Sequence, residues 1–246
     1  KLTLAIEKVA EDHRVRYGLN ALMTQGTDGK RTFEPDEFVK GGRLALAPAA
    51  KAAFSQGGQA AFAAGKATPS GLMDAVVARL CRAVGHTPRR VVAYVGRGNN
   101  GGDAVGLAAS FGCPVILRHP GEKFEVSAET QRQLDRAGSM DVHRSAPEAG
   151  ADTLIIDGLL GSGAHGELRE DYAACVREMN ALRLSAPRCR TLAIDMPTGL
   201  GTGLCVQADA TAAIGCVKPE MLADGDHLYL YWGVYNFPKA LWGVEL

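Results

Sequence analysis

The stretch VVAYVGRGNNGGDAVGLAAS, Val91 to Ser110, decides the fold. Its first residues form a β-branched apolar run without polar alternation. That is the pattern of a strand buried on both faces, as in a parallel sheet. A glycine-rich turn follows, and DAVGLAASF (103–111) then reads as a helix. Strand, glycine turn and helix together open a βαβ unit. Within the turn, GRGNNG (96–101) satisfies the G-x-G-x-x-G pattern of dinucleotide-binding loops. The same letters fit any loop whose glycines let backbone N–H groups approach an anion.

The same alternation continues outward. TPSGLMDAVVARLCRAV (68–84) places Leu72, Val76, Leu80 and Val84 on one helical stripe, with Thr68 or Ser70 as its cap. RVVAYVG (90–96), CPVILR (113–118), DTLIIDGLLG (152–161) and RTLAIDMP (190–197) read as strands. SAETQRQLDRAG (127–138) and LREDYAACVREMNAL (168–182) read as helices between them. The fold class is α/β, with a mostly parallel sheet and helices on both sides. Right-handed crossovers collect the strand C-terminal ends on one edge, where such sheets bind ligands. Upstream, residues 1–66 are Ala-rich with Gly breaks. LTLAIEKVAEDHRVRYGLNALM (2–23) reads as helix and TQGTDGKRTFEPDE (24–37) as loop. The chain is therefore divided into a helical N-terminal extension, 1–66, and a main domain, 67–246.

Composition narrows the function classes. The 246 residues are 46% apolar, and 27 Lys+Arg balance 27 Asp+Glu. A net charge of zero supplies no field to gather nucleic acid or an anionic membrane. No apolar run approaches the roughly 18 residues of a membrane span. Cys81, Cys113, Cys175, Cys189, Cys205 and Cys216 are scattered without a C-x-x-C pair. They read as reduced thiols of an intracellular protein, not as zinc ligands. The sequence starts at Lys1, where a targeting segment would not be visible, and the expected compartment is intracellular, cytoplasmic or mitochondrial.

The chemistry gathers at the strand ends. Three strands run into glycine-rich, Asp-bearing loops: GRGNNGGD (96–103), DGLLGSGAHGE (157–167) and DMPTGLGTG (195–203). One such loop is a tight connection; three on one edge indicate a site. Asn99, Asn100, Asp103, Asp157, Asp195 and Thr198 all offer oxygen, a set suited to a hard cation and not to zinc. The plainer reading of Asp157 and Asp195 is that each caps a loop or the next helix. A dehydrogenase would place an acid after the second strand for the ribose hydroxyls. Arg118 and His119 stand there instead, although an Arg can take a 2′-phosphate. A carboxylate at Asp103, beside the expected helix start, would also repel a pyrophosphate. His119 and His165 are read as ligand-edge or surface residues rather than bases.

These motifs resemble the NAD(P)H-hydrate epimerase family, also known as the YjeF N-terminal domain. The resemblance rests on GRGNNGGDAVGLAA, ADTLIIDGLLGSG, RTLAIDMPTGL and VQADATAAIGCVKPE in order, with SGLMDAVVARL as the opening helix. It covers about residues 67–222. It implies a Rossmann-like three-layer α/β/α sandwich and an activity that interconverts the epimers of hydrated NADH or NADPH. The dinucleotide is then substrate. The resemblance assigns substrate contacts to Asn99, Asn100, Gly101, Gly102 and Asp103. It assigns others to Gly161, Ser162, Gly163, Ala164, His165, Gly166 and Glu167, and to Asp195 and Lys218. Asn100, Asp157 and Thr198 match the positions holding a potassium ion. Asp195 is the first choice for proton transfer and Asp103 the second. A homodimer is expected, with no membrane partner, no nucleic acid, and no dehydratase domain in the chain.

The sequence also departs from the family. Ala104 stands where Gly is usual, LGTGLCVQAD (200–209) is short and lacks a customary acid, and the region after Lys218 matches poorly. Two alternatives stay open. One is a non-catalytic relative acting as a dimerisation or RNA-associated scaffold, which would tend to lose the loop acids kept here. The other is an NAD(P)-dependent oxidoreductase, which would need a hydride-transfer pair that is not recognisable.

Overall fold

The computed structural model describes residues 68–84, 87–143, 147–148, 150–212 and 214, and four short strands elsewhere. Those four are β1 (Val15–Tyr17), β2 (Thr24–Gln25), β3 (Arg31–Thr32) and β10 (Tyr229–Tyr231). The main body runs α1 (Pro69–Val84), β4 (Arg90–Val95), α2 (Asn99–Ala109), β5 (Val115–Arg118), α3 (Ala128–Ala137) and β6 (Asp141–His143). It continues with β7 (Thr153–Gly158), α4 (Glu170–Ser185), β8 (Arg190–Ile194) and β9 (Ala210–Ala212).

Six strands form one sheet in the order β6-β5-β4-β7-β8-β9, every neighbour pair parallel. The chain moves outward from β4 in one direction, returns, and moves outward from β7 in the other. Reversal of direction under right-handed crossovers sends the helices to opposite faces. The pleat of β4 shows this directly. Val91, Ala93 and Val95 face a core shared with Val76, Leu80, Val105 and Leu107 of α1 and α2. Val92 and Tyr94 face the other core, with Ile155, Tyr172, Val176 and Met179. Each fully buried aliphatic side chain contributes about 1.5–3 kcal/mol. The architecture is a Rossmann-like three-layer sandwich.

The four expected strands are present, and β6 and β9 join them at the edges. Both are three residues long, too short for a periodicity to declare them. Thr68 caps α1, its Oγ1 accepting the Gly71 N–H at 3.0 Å. Two expectations change. Val15–Tyr17, inside the stretch read as helix, is a strand paired in parallel with Tyr229–Tyr231. The β-propensity of Val and Tyr prevails there. Helix α2 begins at Asn99, not near Asp103. The Gly101 N–H reaches the Gly98 carbonyl at 3.0 Å, closing a turn earlier than the glycine content suggests.

The strand order reverses between β4 and β7, so the loops leaving them open a crevice at the sheet's C-terminal edge. The two chains nearly touch there. The Gly96 N–H donates to the Gly158 carbonyl at 3.0 Å, and a Cβ on Gly96 would fall 1.8 Å from the Leu159 carbonyl oxygen. Only glycine fits.

Candidate active site at the sheet edge

Asp157 ends β7 and is fully buried. Its Oδ1 accepts the Thr198 hydroxyl at 2.7 Å and the Leu159 N–H at 3.2 Å. Its Oδ2 accepts the Thr198 N–H at 2.7 Å. The Thr198 hydroxyl in turn accepts the Leu160 N–H at 3.2 Å. One carboxylate thus joins the loops after β7 and β8. Burial pushes the Asp157 carboxyl up to about 6, against these hydrogen bonds, which favour the charged form.

Asp195 follows β8 with φ +69°, a left-handed conformation that non-glycine residues seldom adopt. Its backbone N–H bonds the Ala212 carbonyl at 2.8 Å, which anchors the bend to β9. The side chain turns inward. Oδ2 accepts the Ser162 N–H at 2.7 Å and Oδ1 the Ile214 N–H at 3.3 Å. Gly161 lies between this carboxylate and Asn100. A Cβ there would stand 3.0 Å from Asp195 Oδ2 and 3.6 Å from Asn100 Cγ.

Helix α2 carries the third group. Asn99 and Asn100 form its first turn; Gly101, Gly102 and Asp103 are buried just behind them. A Cβ on Gly102 would meet Met73 Cε at 2.6 Å and Thr130 Oγ1 at 2.9 Å, which shows how tightly α1 and α3 enclose the helix start. Asp103 is only 8% exposed, and its Oδ1 has no hydrogen-bond partner. Burial, and after it the negative charge of Asp195, hold its carboxyl well above the usual carboxylate range. The Asn100 Nδ2 is also buried without a partner.

The loop 161–167 walls a cleft of about 510 Å³. Ser162, His165, Glu167, Arg169, Tyr172 and Thr198 contribute to its lining. Gly163 is exposed and outside it. His165 is exposed on the rim, whereas His119 is buried and stacks on Phe124 with centroids 4.5 Å apart. Lys218 lies outside the described residues. Sequence reasoning missed Arg169 and Tyr172, which line the cleft and make a cation–π contact of 5.1 Å.

Arg118 ends β5 at the position where a dinucleotide oxidoreductase reads the ribose. Its Nε and a terminal nitrogen donate to the two Glu178 oxygens at 2.9 and 2.8 Å, and its side chain is 8% exposed. A guanidinium so engaged is unavailable to a 2′-phosphate.

Among the described residues, no group of three or more His, Cys, Asp or Glu side chains is placed to hold a metal ion. None of the described helices is long and apolar enough to cross a membrane.

A six-stranded parallel sheet with a cleft between the loops that follow β7 and β8 defines a Rossmann-like domain. Comparison with known proteins narrows this. Residues 70–220 match the family described as YjeF-related protein N-terminus. The chain belongs to that family. It is 39% identical over 144 residues to a bifunctional NAD(P)H-hydrate repair enzyme of Leishmania major, covering 52% of this chain and 25% of that protein. It is 35% identical over 150 residues to an NAD(P)H-hydrate epimerase of Cenarchaeum symbiosum, covering 52% of this chain and 65% of the relative. An NAD(P)H-hydrate epimerase of Limosilactobacillus fermentum is 29% identical over 152 residues, 57% of this chain and 70% of that one. The chain thus spans about a quarter of the bifunctional relative's length.

Proposed function

We propose that this chain interconverts the two epimers of hydrated NADH or NADPH, which differ at nicotinamide C6. The observation that carries the reading is the contrast between Asp103, in the first turns of α2, and Asp195, after β8, whose negative charge helps to raise the Asp103 carboxyl. One carboxyl is buried with an unpartnered oxygen, and the other is fixed by two backbone N–H groups. Two carboxyls with unlike environments divide acid and base roles.

Epimerisation at C6 requires either loss and return of the hydroxyl or opening and reclosure of the ring. In the first route a proton goes to the departing hydroxyl, water leaves, and water returns on the other face with loss of a proton. In the second, the hydroxyl proton is removed as C6=O forms and the C6–N1 bond breaks, N1 takes the bonding pair and a proton, and after rotation about C5–C6 closure reverses each transfer. Both routes need a donor and an acceptor near C6, at its oxygen in the first route and at the oxygen and N1 in the second. Asp103, kept neutral by burial, suits the donor. Asp195, oriented by the Ser162 and Ile214 N–H groups, suits the acceptor. The N–H groups at the start of α2 and the 161–167 loop would hold the phosphates.

The family's potassium ion fits the residues present. Asn100 would ligate through its amide oxygen, its Nδ2 being a donor, and Asp157 is a buried carboxyl raised by desolvation, with Thr198 Oγ1 beside it. These three would hold the ion, which would neutralise Asp157 and brace the loops. The scaffold and oxidoreductase readings gain nothing from the geometry: the loop acids are in place, and Arg118 is engaged.

The test is an unequal mixture of the epimers, followed with and without potassium. Restored equilibrium at catalytic protein concentrations supports the reading. Full activity in Asp195→Asn would refute the assignment of the base.

A further inference from the structure

The start of α3 grips three consecutive residues of the loop after β4. The Ser127 N–H donates to the Arg97 carbonyl at 2.8 Å. The Thr130 hydroxyl, fully buried, donates to the Gly98 carbonyl at 2.9 Å. The Ser127 hydroxyl stands 3.0 Å from both Asn99 Oδ1 and Thr130 Oγ1, and shares its one hydrogen between them. Ser127 is also the N-cap of α3, accepting the Thr130 N–H at 3.3 Å. Capping explains an oxygen at position 127. It does not explain why the same oxygen reaches a side chain 28 residues earlier.

Asn99 is exposed, unlike the buried residues that follow it in α2. An exposed carboxamide is normally a free rotor, and fixing it on binding a ligand costs affinity. With Oδ1 engaged, its Nδ2 hydrogens are left to face an acceptor.

We propose that Ser127, through its hydroxyl, is a positioning residue. It holds the Asn99 carboxamide in the orientation that receives an acceptor oxygen of the dinucleotide, with Thr130 fixing the backbone beneath. This rests on the functional reading above. Its consequence is specific. Loss of the hydroxyl frees the Asn99 rotor before binding but leaves the proton-transfer pair intact, so KM rises while kcat stays put. Freeing one side chain corresponds to about a 3- to 10-fold rise in KM.

The experiment compares Ser127→Gly with Ser127→Thr in the full chain. Glycine at an N-cap costs only a few tenths of a kcal/mol relative to Ser, so the cap is little affected while the donor is lost. Threonine keeps both. Two readouts are taken: epimerisation kinetics, and the Asn99 side-chain amide pair in nitrogen–proton correlation spectra, assigned by its absence in Asn99→Ala. We expect the Gly variant to raise KM with kcat within twofold, and to move the amide pair to the free-carboxamide position. The Thr variant restores both. An unmoved amide pair, an unchanged KM, or a KM rise that Thr does not reverse overturns the proposal. A wild-type protein without epimerase activity would overturn the functional reading instead, and the amide pair would still judge the Ser127–Asn99 link.

Discussion

Replacing Asp103 by Asn separates what this residue does for stability from what it does for chemistry. The carboxyl is 8% exposed, one oxygen lacks a partner, and Asp195 adds a like charge nearby. Ionising it inside the fold is therefore costly. Its unfolded value is the ordinary 3.8, and its folded value lies well above that. Between the two, the native state holds a proton that the unfolded chain has released. Stability therefore falls as pH rises from about 4 through the folded value, and levels off above it. Each unit of separation is worth about 1.4 kcal/mol. Asn is close in shape to the neutral acid and cannot ionise, so the variant lacks this slope.

The expected result is a stability difference that shifts in favour of Asp103→Asn as pH rises from about 4 through the folded value, then levels off. Urea unfolding at several pH values measures it, with the midpoint and slope fitted together. Over the same range the variant should lose about 10²- to 10⁴-fold in epimerisation rate, the usual contribution of a positioned acid. A stability difference flat across pH 4–8 would refute the buried-neutral-acid argument. A rate within threefold of wild type would refute the catalytic one. The two can fail separately.

Thr198→Val removes the 2.7 Å hydroxyl–carboxylate bond and leaves the Leu160 N–H without its acceptor. We expect a loss of about 2–4 kcal/mol in urea unfolding and a weakened response of activity to potassium. Gly161→Ala inserts a methyl 3.0 Å from Asp195 Oδ2, against a side chain rather than backbone. Activity should drop about tenfold or more, with stability within about 1 kcal/mol, as single-turnover kinetics and thermal unfolding would show. Glu178→Ala strands the Arg118 guanidinium and should cost about 3 kcal/mol. It should leave the ratio of KM values for the two hydrates unchanged, because Arg118 does not read the 2′-phosphate.

The central layers were legible because buried parallel strands are the simplest pattern a sequence displays. Val91–Val95 and Thr153–Gly158 announced themselves as continuous β-branched runs between glycines. Asp141–His143 and Ala210–Ala212 did not, since three residues carry no period and their pairing comes from their neighbours. The acids of the site were legible as residue types at strand ends. Their partners were not. Nothing local tells Thr198 that Asp157 lies opposite, or Arg118 that Glu178 will claim it, because both contacts cross between elements far apart in sequence. Ser127 is the intermediate case. Its place at the start of a helix was readable from SAETQRQLDRAG, but its reach to Asn99 required α3 to dock on α2.

The earlier start of α2 resolves the objection that the sequence raised against a phosphate near Asp103. Had the helix begun at Asp103, a carboxylate would sit where the N–H groups point, and an anion would be repelled. With Asn99 as the first helical residue, Asp103 is four residues further on, about 6 Å along the axis. The first-turn N–H groups then belong to the asparagines and glycines. Burial also keeps the acid neutral, so the remaining repulsion is small. On the proposed reading, anion binding and proton donation would therefore fall on successive turns of one helix, instead of competing for its end. The glycines serve this arrangement by letting Val95, Met73 and Thr130 press against the helix start until Asp103 is sealed from water.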